Sequence, residues 1–91
     1  MERIIKVSAQ YKKDYVKAQK QGLKIEKLKF VIEELQKGNT LDKKYHDHSL
    51  IGKYNDCREC HIEPDWLLIY KKNNKSLILF LIETGTHSDL F

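Results

Sequence analysis

The residues best suited to chemistry, four histidines and two cysteines, all lie in the second half of the chain. Cys57, Cys60 and His61 have the C-x-x-C-H spacing that attaches haem in c-type cytochromes. With His46 and His48, the same cysteines could instead supply four ligands to zinc. The surrounding residues favour a β-strand, which would turn the two cysteines to opposite faces, away from a shared haem or zinc ion. We therefore expect Cys60 to be a buried strand residue, and we predict no metal or other cofactor.

The polar residues around this motif suit a different reaction, the cleavage of RNA by attack of its own 2′-hydroxyl group. That reaction needs a base for the hydroxyl, an acid for the leaving 5′-oxygen and positive charge at the phosphate. Histidine suits the first two roles because its pKa lies near neutrality, at roughly 6.5. The acid–base candidates are His48, His61, Asp65 and His87, and the RNA-binding candidates are Lys53 and Arg58 at the phosphate and Trp66 and Phe91 as stacking groups.

Each candidate also has an ordinary structural explanation, which the sequence alone leaves open. A single histidine is commonly a surface residue, and Asp65 suits a turn beside Pro64. Trp66, at the start of a predicted strand, could pack in the core, and Phe91 could belong to a disordered tail.

A single α+β domain over residues 1–91 would position these side chains. The hydrophobic pattern predicts the order β-α-α-β-β-β, with strands at 3–7, 56–62, 66–71 and 77–84 and helices at 9–21 and 24–37. The two helices, ended by Gly22 and Gly38, would form a hairpin on one face of a mostly antiparallel sheet. The strand 77–84 is apolar on both faces and should be central. The segment 72–76 predicts a tight turn in which asparagine accepts a positive φ.

Charge is distributed unevenly along the chain. Residues 1–38 carry ten Lys/Arg and five Asp/Glu, whereas residues 39–91 carry seven and eight. The basic first part indicates an acidic partner such as nucleic acid or the ribosome, although a solvated lysine-rich helix face has the same composition. No apolar run is long enough to cross a membrane, and the first ten residues lack the pattern of a signal peptide. We therefore expect a cytoplasmic protein without a structural disulfide.

Three blocks of the sequence resemble the YafQ branch of the RelE toxin superfamily. They are "DHSLIGKY" (47–54), "CHIEPDWLLIYK" (60–71) and "TGTHSDLF" (84–91), and the helical segments "YKKDYVKAQKQG" and "IEKLKFVIEEL" lie where the family has its helix pair. The resemblance covers nearly the whole chain. The combination of H-x-E-P-D-W with T-G-[TS]-H-x-x-L-F is its most specific part.

The resemblance implies a RelE-like fold and a bacterial type II toxin, an endoribonuclease that enters the ribosomal A site and cuts translated mRNA. It implies a cognate antitoxin that covers the active site, and operator DNA that is bound only through the antitoxin complex. By matching motifs, the family's site residues correspond to His48, His61, Asp65, Trp66, His87 and Phe91, with His87 the leading acid or base. His46 has no clear counterpart in the family.

Two features of the sequence depart from this pattern. Ser49 follows the loop histidine where relatives have proline, which we expect to matter little. Glu83 stands where relatives often have arginine before T-G-[TS]-H, and an acidic group at the phosphate would oppose cleavage. Either Glu83 points away, or Arg58 and Lys53 supply the charge. Arg58 has the opposite strand parity to His61, so the two share a face only if a β-bulge intervenes.

Two other functions remain open from the sequence. A ParE-like toxin on the same scaffold would inhibit a topoisomerase without cutting RNA, and it would need no acid–base groups. A zinc-binding RNA adaptor would use the cysteines and histidines as ligands and would contain stoichiometric zinc.

Overall fold

A computed structural model describes residues 2–91 of the chain. Its elements are β1 (Ile4–Val7), α1 (Ala9–Lys20), α2 (Ile25–Lys37), β2 (His48–Ser49), β3 (Arg58–Glu63), β4 (Trp66–Asn73), β5 (Ile78–Gly85) and α3 (His87–Leu90). Two short 3-10 helices, Lys43–Tyr45 and Gly52–Tyr54, interrupt the segment between α2 and β3.

The strands form one five-stranded sheet in the order β1-β5-β4-β3-β2. β1 pairs with β5 in parallel, and the pairs β5–β4, β4–β3 and β3–β2 are antiparallel. The predicted α+β class, with a helix hairpin and a mostly antiparallel sheet, is thereby confirmed. None of the helices formed by residues 2–91 has the length and apolar character that a membrane crossing requires.

The helix hairpin forms because its sequence carries both end signals and an apolar stripe. Ser8 caps α1 by accepting a hydrogen bond from the backbone N–H of Tyr11 at 2.9 Å. Gly38 ends α2 with a left-handed φ of 84°, a conformation that glycine adopts without steric cost. The buried face of α2 consists of Leu28, Val31 and Leu35, spaced at helical intervals.

The core lies between the hairpin and one face of the sheet. Alternate residues of β4, namely Trp66, Leu68 and Tyr70, point into it and are almost fully buried. From β3, Cys60 and Ile62 join the same core. The alternate residues of β3 therefore point to the other face of the sheet.

The structure departs from the sequence-based expectation at three places. β2 and α3 lie in segments that we expected to be loops, and both are short, with two and four residues. The turn between β4 and β5 has its positive φ at Leu77 (53°), not at an asparagine. Asn73 shapes this turn with its side chain instead, because its Oδ1 accepts from the backbone N–H of Lys75 and of Ser76.

Candidate active site

His61 lies at the centre of a cluster that contains all four histidines of the chain. The centre of its ring is 5.6 Å from that of His46, 6.4 Å from that of His48 and 6.0 Å from that of His87. Four different stretches of chain deliver them: the turn before β2, β2 itself, β3 and α3. Three predicted acid–base candidates, His48, His61 and His87, are thus brought together, along with His46.

The end of β3 fixes the orientation of His61. The pairing of β3 with β4 is irregular between His61 and Glu63, so the chain bends there into the turn that contains Pro64. The Nδ1 of His61 lies 3.1 Å from the carbonyl oxygen of Pro64. Because a carbonyl can only accept, this nitrogen carries the hydrogen. The Nε2 is left to exchange a proton, and it faces away from the turn.

Glu59 was not among the predicted site residues, yet the structure places it between two of them. Its Oε1 lies 3.4 Å from Nε2 of His61 and 3.9 Å from Nε2 of His48. The residue is only 5% exposed. A carboxylate buried to this degree needs charged or hydrogen-bonding partners, and each imidazole becomes such a partner when its Nε2 carries a proton. The strand period did carry a signal, because Glu59 and His61 are two residues apart and must share a face.

His87 and Asp65 form a second, more exposed pair at the rim of the sheet. The backbone N–H of His87 donates to Oδ1 of Asp65 at 3.4 Å, and its ring Nδ1 lies 3.9 Å from the same oxygen. Both side chains are more than half exposed, at 56% and 73%. Thr86 and Asp89 form a reciprocal cap that starts α3 and directs His87 towards Asp65.

A partly buried hydrogen-bond network holds the strand that carries His48. Oδ1 of Asp47 accepts from the Tyr70 hydroxyl at 2.6 Å and from Nε of Arg58 at 3.3 Å. Burial, together with the bond to Asp47, raises the pKa of Tyr70 well above its usual value. The phenol therefore remains a hydrogen-bond donor throughout the physiological range. His48 is fixed in turn, because its Nδ1 lies 2.7 Å from the carbonyl oxygen of His46.

Arg58 belongs to this network and lies on the opposite face of β3 from His61. The strand is regular between the two residues, so no bulge removes the difference in parity. Nη1 of Arg58 donates to Oγ of Ser49 at 2.9 Å. Burial opposes the charge of Arg58, but the hydrogen bonds outweigh it, and the net effect raises the pKa of the guanidinium. Its present contacts are with the protein chain, so its predicted role at the phosphate stays a prediction.

The remaining RNA-binding candidates behave differently from one another. Phe91 is 61% exposed, and its ring centre lies 5.9 Å from that of His87 and 5.6 Å from that of Tyr54. Nζ of Lys53 lies 5.3 Å from the centre of the Tyr54 ring. Phe91 thus lies beside His87, and Tyr54 lies between Phe91 and Lys53.

Trp66 requires a correction. It is only 1% exposed, and its Nε1 donates to Oγ1 of Thr84 at 3.0 Å inside the core. Stacking on a base would require Trp66 to leave this site, so the predicted contact with RNA is replaced by a packing role.

Glu83, which stands where relatives often have arginine, is hydrogen-bonded within the protein. The Tyr54 hydroxyl donates to Oε2 of Glu83 at 3.0 Å. Burial, and next this hydrogen bond, raise the pKa of Tyr54. The carboxylate therefore accepts a hydrogen bond from a neutral donor that lies beside Phe91.

The two cysteines do not form the haem or zinc site that their spacing suggests. β3 begins at Arg58, so Cys57 precedes the strand, while Cys60 is fully buried in the core. Burial raises the pKa of the Cys60 thiol far above its ordinary value, which disfavours the thiolate that zinc requires. Within residues 2–91, no three His, Cys, Asp or Glu side chains are grouped so as to hold a metal ion.

Comparisons with known proteins bear on this arrangement. The family model described as the bacterial toxin YafQ of type II toxin–antitoxin systems matches residues 3–91. The mRNA interferase toxin YafQ of Escherichia coli K12 is 43% identical over 93 residues, covering 100% of this chain and 98% of that protein.

Solved structures agree with the sequence comparisons. In the crystal structure of the E. coli DinJ–YafQ toxin–antitoxin complex, a chain 40% identical superposes with a TM-score of 0.90, covering 100% of this chain and 99% of that one. A metal-bound toxin from Helicobacter pylori, 38% identical, gives a TM-score of 0.91 with full coverage of both chains.

Proposed function

The chain belongs to the YafQ family of toxins of bacterial type II toxin–antitoxin systems, and we propose that it is an endoribonuclease that cuts translated mRNA. Its relatives in E. coli are named mRNA interferases. The observation that carries the proposal is the pairing of His61 with His87, 6.0 Å apart, each beside a carboxylate.

The two imidazoles can serve as the acid and the base of RNA self-cleavage. The 2′-oxygen bonds to phosphorus, the bond from phosphorus to the 5′-oxygen breaks, and a 2′,3′-cyclic phosphate and a 5′-hydroxyl result. One imidazole takes the proton of the 2′-hydroxyl, and the other gives a proton to the 5′-oxygen, so the protons balance. Glu59 and Asp65 orient the two rings. His48 lies on the far side of Glu59, where it holds that carboxylate in place.

We further propose that the ribosome positions the RNA in its A site. His87 and Asp65 are exposed, so the RNA backbone lies on an open surface where the protein alone restricts it little. Holding reacting groups in place can lower a barrier by roughly 7–11 kcal/mol at best. The basic first part of the chain supplies a surface suited to ribosomal RNA.

The antitoxin partner follows from the family. YafQ of E. coli has been crystallised with DinJ as a toxin–antitoxin complex. We propose that a cognate antitoxin covers the histidine cluster of this chain, and that operator DNA is bound only through the complex.

The test is cleavage in a reconstituted translation system. The purified protein should cut mRNA on programmed ribosomes, leave 2′,3′-cyclic phosphate ends and spare the same RNA without ribosomes. His87→Ala should abolish cleavage, whereas Glu33→Ala, on the outer face of α2, should not. Intact mRNA in this system, together with arrested replication when the protein is expressed in cells, would contradict the proposal and favour the topoisomerase inhibitor.

A second experiment tests the prediction that cleavage needs no metal cofactor. Protein stripped with a chelator, then returned to the magnesium buffer that ribosomes need, should cut mRNA at the same rate. Loss of cleavage on stripping, restored by zinc, would contradict the proposed chemistry and favour a metal-dependent site.

A further inference from the structure

His46 is the member of the histidine cluster that has no role in the acid–base chemistry described above. β2 and β3 pair with His48 opposite Glu59, and the same antiparallel register, continued beyond this pair, places His46 opposite His61. The rings of His46 and His61 meet at an angle of 75°, with their centres 5.6 Å apart. His46 therefore lies on the side of the sheet that carries the candidate active site.

The backbone of His46 is held in a left-handed conformation. Its φ is 47°, at the end of the 3-10 helix Lys43–Tyr45, and its N–H donates to the carbonyl oxygen of Lys43 at 3.0 Å. Its own carbonyl oxygen is the acceptor for Nδ1 of His48. Non-glycine residues in this conformation are uncommon, and they cluster at functional sites. The backbone groups of His46 are thus engaged, while its side chain is exposed.

The ring of His46 differs from the other three imidazoles in its polar contacts. Each of the other three lies beside a carboxylate, either Glu59 or Asp65. Within residues 2–91, no ion pair or hydrogen bond joins the ring of His46 to another residue. Asp47, the next residue in the chain, accepts hydrogen bonds from Tyr70 and Arg58. The ring nitrogens of His46 are therefore open to a ligand.

RNA cleavage needs positive charge at the phosphate, and the two predicted cations are engaged away from His61. Arg58 lies on the opposite face of β3 and donates to Asp47. Nζ of Lys53 lies 5.3 Å from the centre of the Tyr54 ring. Neither side chain contacts His61, so the charge at the phosphate has to come from another group in the cluster.

Further charged groups approach His46 from the elements around it. Glu26 and Lys27 on α2, Lys44 on the 3-10 helix and Glu63 at the end of β3 line the same groove as His46. Lys27 is paired with Glu63 at 3.1 Å, and Nζ of Lys44 lies 5.2 Å from the centre of the adjacent tyrosine ring. Two of these four groups are positive and two are negative, so they place no net charge around His46.

We infer that His46, as an imidazolium, contacts the phosphate at which the RNA is cut and stabilises the negative charge that develops there. The inference rests on the proposed RNA cleavage and adds a catalytic residue to it. A phosphate that contacts His61 comes within reach of His46, and it favours the protonated form of a neighbouring imidazole. His46 keeps its proton throughout the reaction. The acid and the base remain His61 and His87, and the proton balance is unchanged.

The experiment compares two variants that differ chiefly in charge, His46→Gln and His46→Lys. Both side chains are unbranched at Cβ, so both meet a similar cost at the left-handed position. On programmed ribosomes, at saturating protein and under single-turnover conditions, His46→Gln should cut mRNA about ten- to hundred-fold more slowly than wild type. The loss of one group that stabilises developing charge costs about 10²–10³-fold in an enclosed site, and less at an open one.

His46→Lys should cut within about three-fold of the wild-type rate, because it restores a positive charge at the same position. Lys43→Gln is the matched control. It removes a positive charge from the same segment, but its side chain does not line the groove that contains His46, so its rate should equal that of wild type. Thermal unfolding should give the same midpoint for His46→Gln and His46→Lys, so that the difference in rate reports on charge.

The pH dependence distinguishes a titrating cation from a permanent one. The rate of His46→Lys divided by the wild-type rate should rise several-fold between about pH 6 and pH 8, because an imidazolium loses its proton in this range and an ammonium keeps it. The acid and the base are common to both proteins, so their titration cancels in this ratio. A ratio that stays constant with pH would overturn the inference.

The outcomes separate this inference from the proposed function. If wild-type protein leaves mRNA intact on ribosomes, the proposed function fails. If wild-type protein cuts and His46→Gln cuts at the same rate, only the assignment of His46 fails. An equal loss of rate in His46→Gln and His46→Lys would mean that the shape of the ring matters and its charge does not, which also overturns the inference.

Discussion

The two sides of the histidine cluster are built in different ways. On the strand side, His61 and Glu59 emerge from β3, and the hydrogen bond from the buried Tyr70 to Asp47 fixes the neighbouring β2. On the tail side, His87 and Asp65 are exposed and are held by a short helix and a turn. The strand side is thus prearranged by the fold, whereas the tail side can adjust to RNA. Substitutions on the first should change both stability and activity, and substitutions on the second should change activity alone.

The largest expected effect is on the tail side. His87→Gln should lower the single-turnover rate by about 10²–10⁴-fold, because a positioned acid or base contributes that much. Its free energy of unfolding should stay within about 0.5 kcal/mol of wild type, since the side chain is exposed. Denaturant unfolding and ribosome-dependent cleavage measure the two quantities. A stability loss of several kcal/mol would show that the two sides do not differ as described.

A smaller effect on the cleavage rate is expected for Glu59→Gln on the strand side. The change keeps the size of the side chain and removes the charge that faces His48 and His61. The charge is lost from a contact of 3.4 Å that positions His61, so the rate should fall about ten- to hundred-fold, which corresponds to about 1.4–2.8 kcal/mol of barrier. Glu63→Gln is the control, because Glu63 lies on the same strand but its side chain is 36% exposed. An unchanged rate for Glu59→Gln would remove Glu59 from the site.

Tyr70→Phe tests the support beneath β2. The hydroxyl donates to Asp47 from a buried position, and its loss leaves that carboxylate with Arg58 as its remaining partner. We expect a stability loss of about 1 kcal/mol, with a fall in rate of less than ten-fold. Tyr45→Phe, outside this network, is the matched control for stability. Equal stability for Tyr70→Phe and wild type would mean that the network does not hold the strand.

Most of the fold was predictable because the signals are local. The apolar stripe of α2 and the continuous apolar run that begins β4 each identify an element within a short window. β2 was missed because two exposed residues carry no period; only its pairing with Arg58 and Glu59 makes it a strand. α3 was missed although Thr86 and Asp89 have capping-box spacing, because four residues are too few for a helical stripe.

The types of residue in the site were predictable from the sequence, but the burial of individual side chains was not. Histidines and turn residues can be recognised by type, and His48, His61 and His87 do converge. Whether Trp66 faces RNA or the core depends on which face of β4 the helices cover, a long-range property. Glu59 looks like an ordinary strand residue until β2 brings His48 opposite to it.

The smallest expected effect concerns how α3 is held on the tail side. Nζ of Lys17, on α1, lies 2.8 Å from Oδ1 of Asp89. This contact, followed by the bonds from Thr86, lowers the pKa of Asp89 below its usual value. A carboxyl whose folded pKa is lowered stabilises the fold above its unfolded pKa, about 3.9, and loses that contribution as the pH falls through the folded value.

Lys17→Gln should therefore return the Asp89 pKa towards its ordinary range, as measured by NMR titration of the carboxyl group. Lys20→Gln, also on α1 but without a contact to Asp89, should leave it lowered. Because the pair is exposed, the stability difference between these variants should be below about 0.5 kcal/mol near pH 6 and should shrink as the pH falls through the folded pKa of Asp89. A difference that does not shrink on acidification would mean that Lys17 supports α3 by packing, and that the tail side is less adjustable than its exposure indicates.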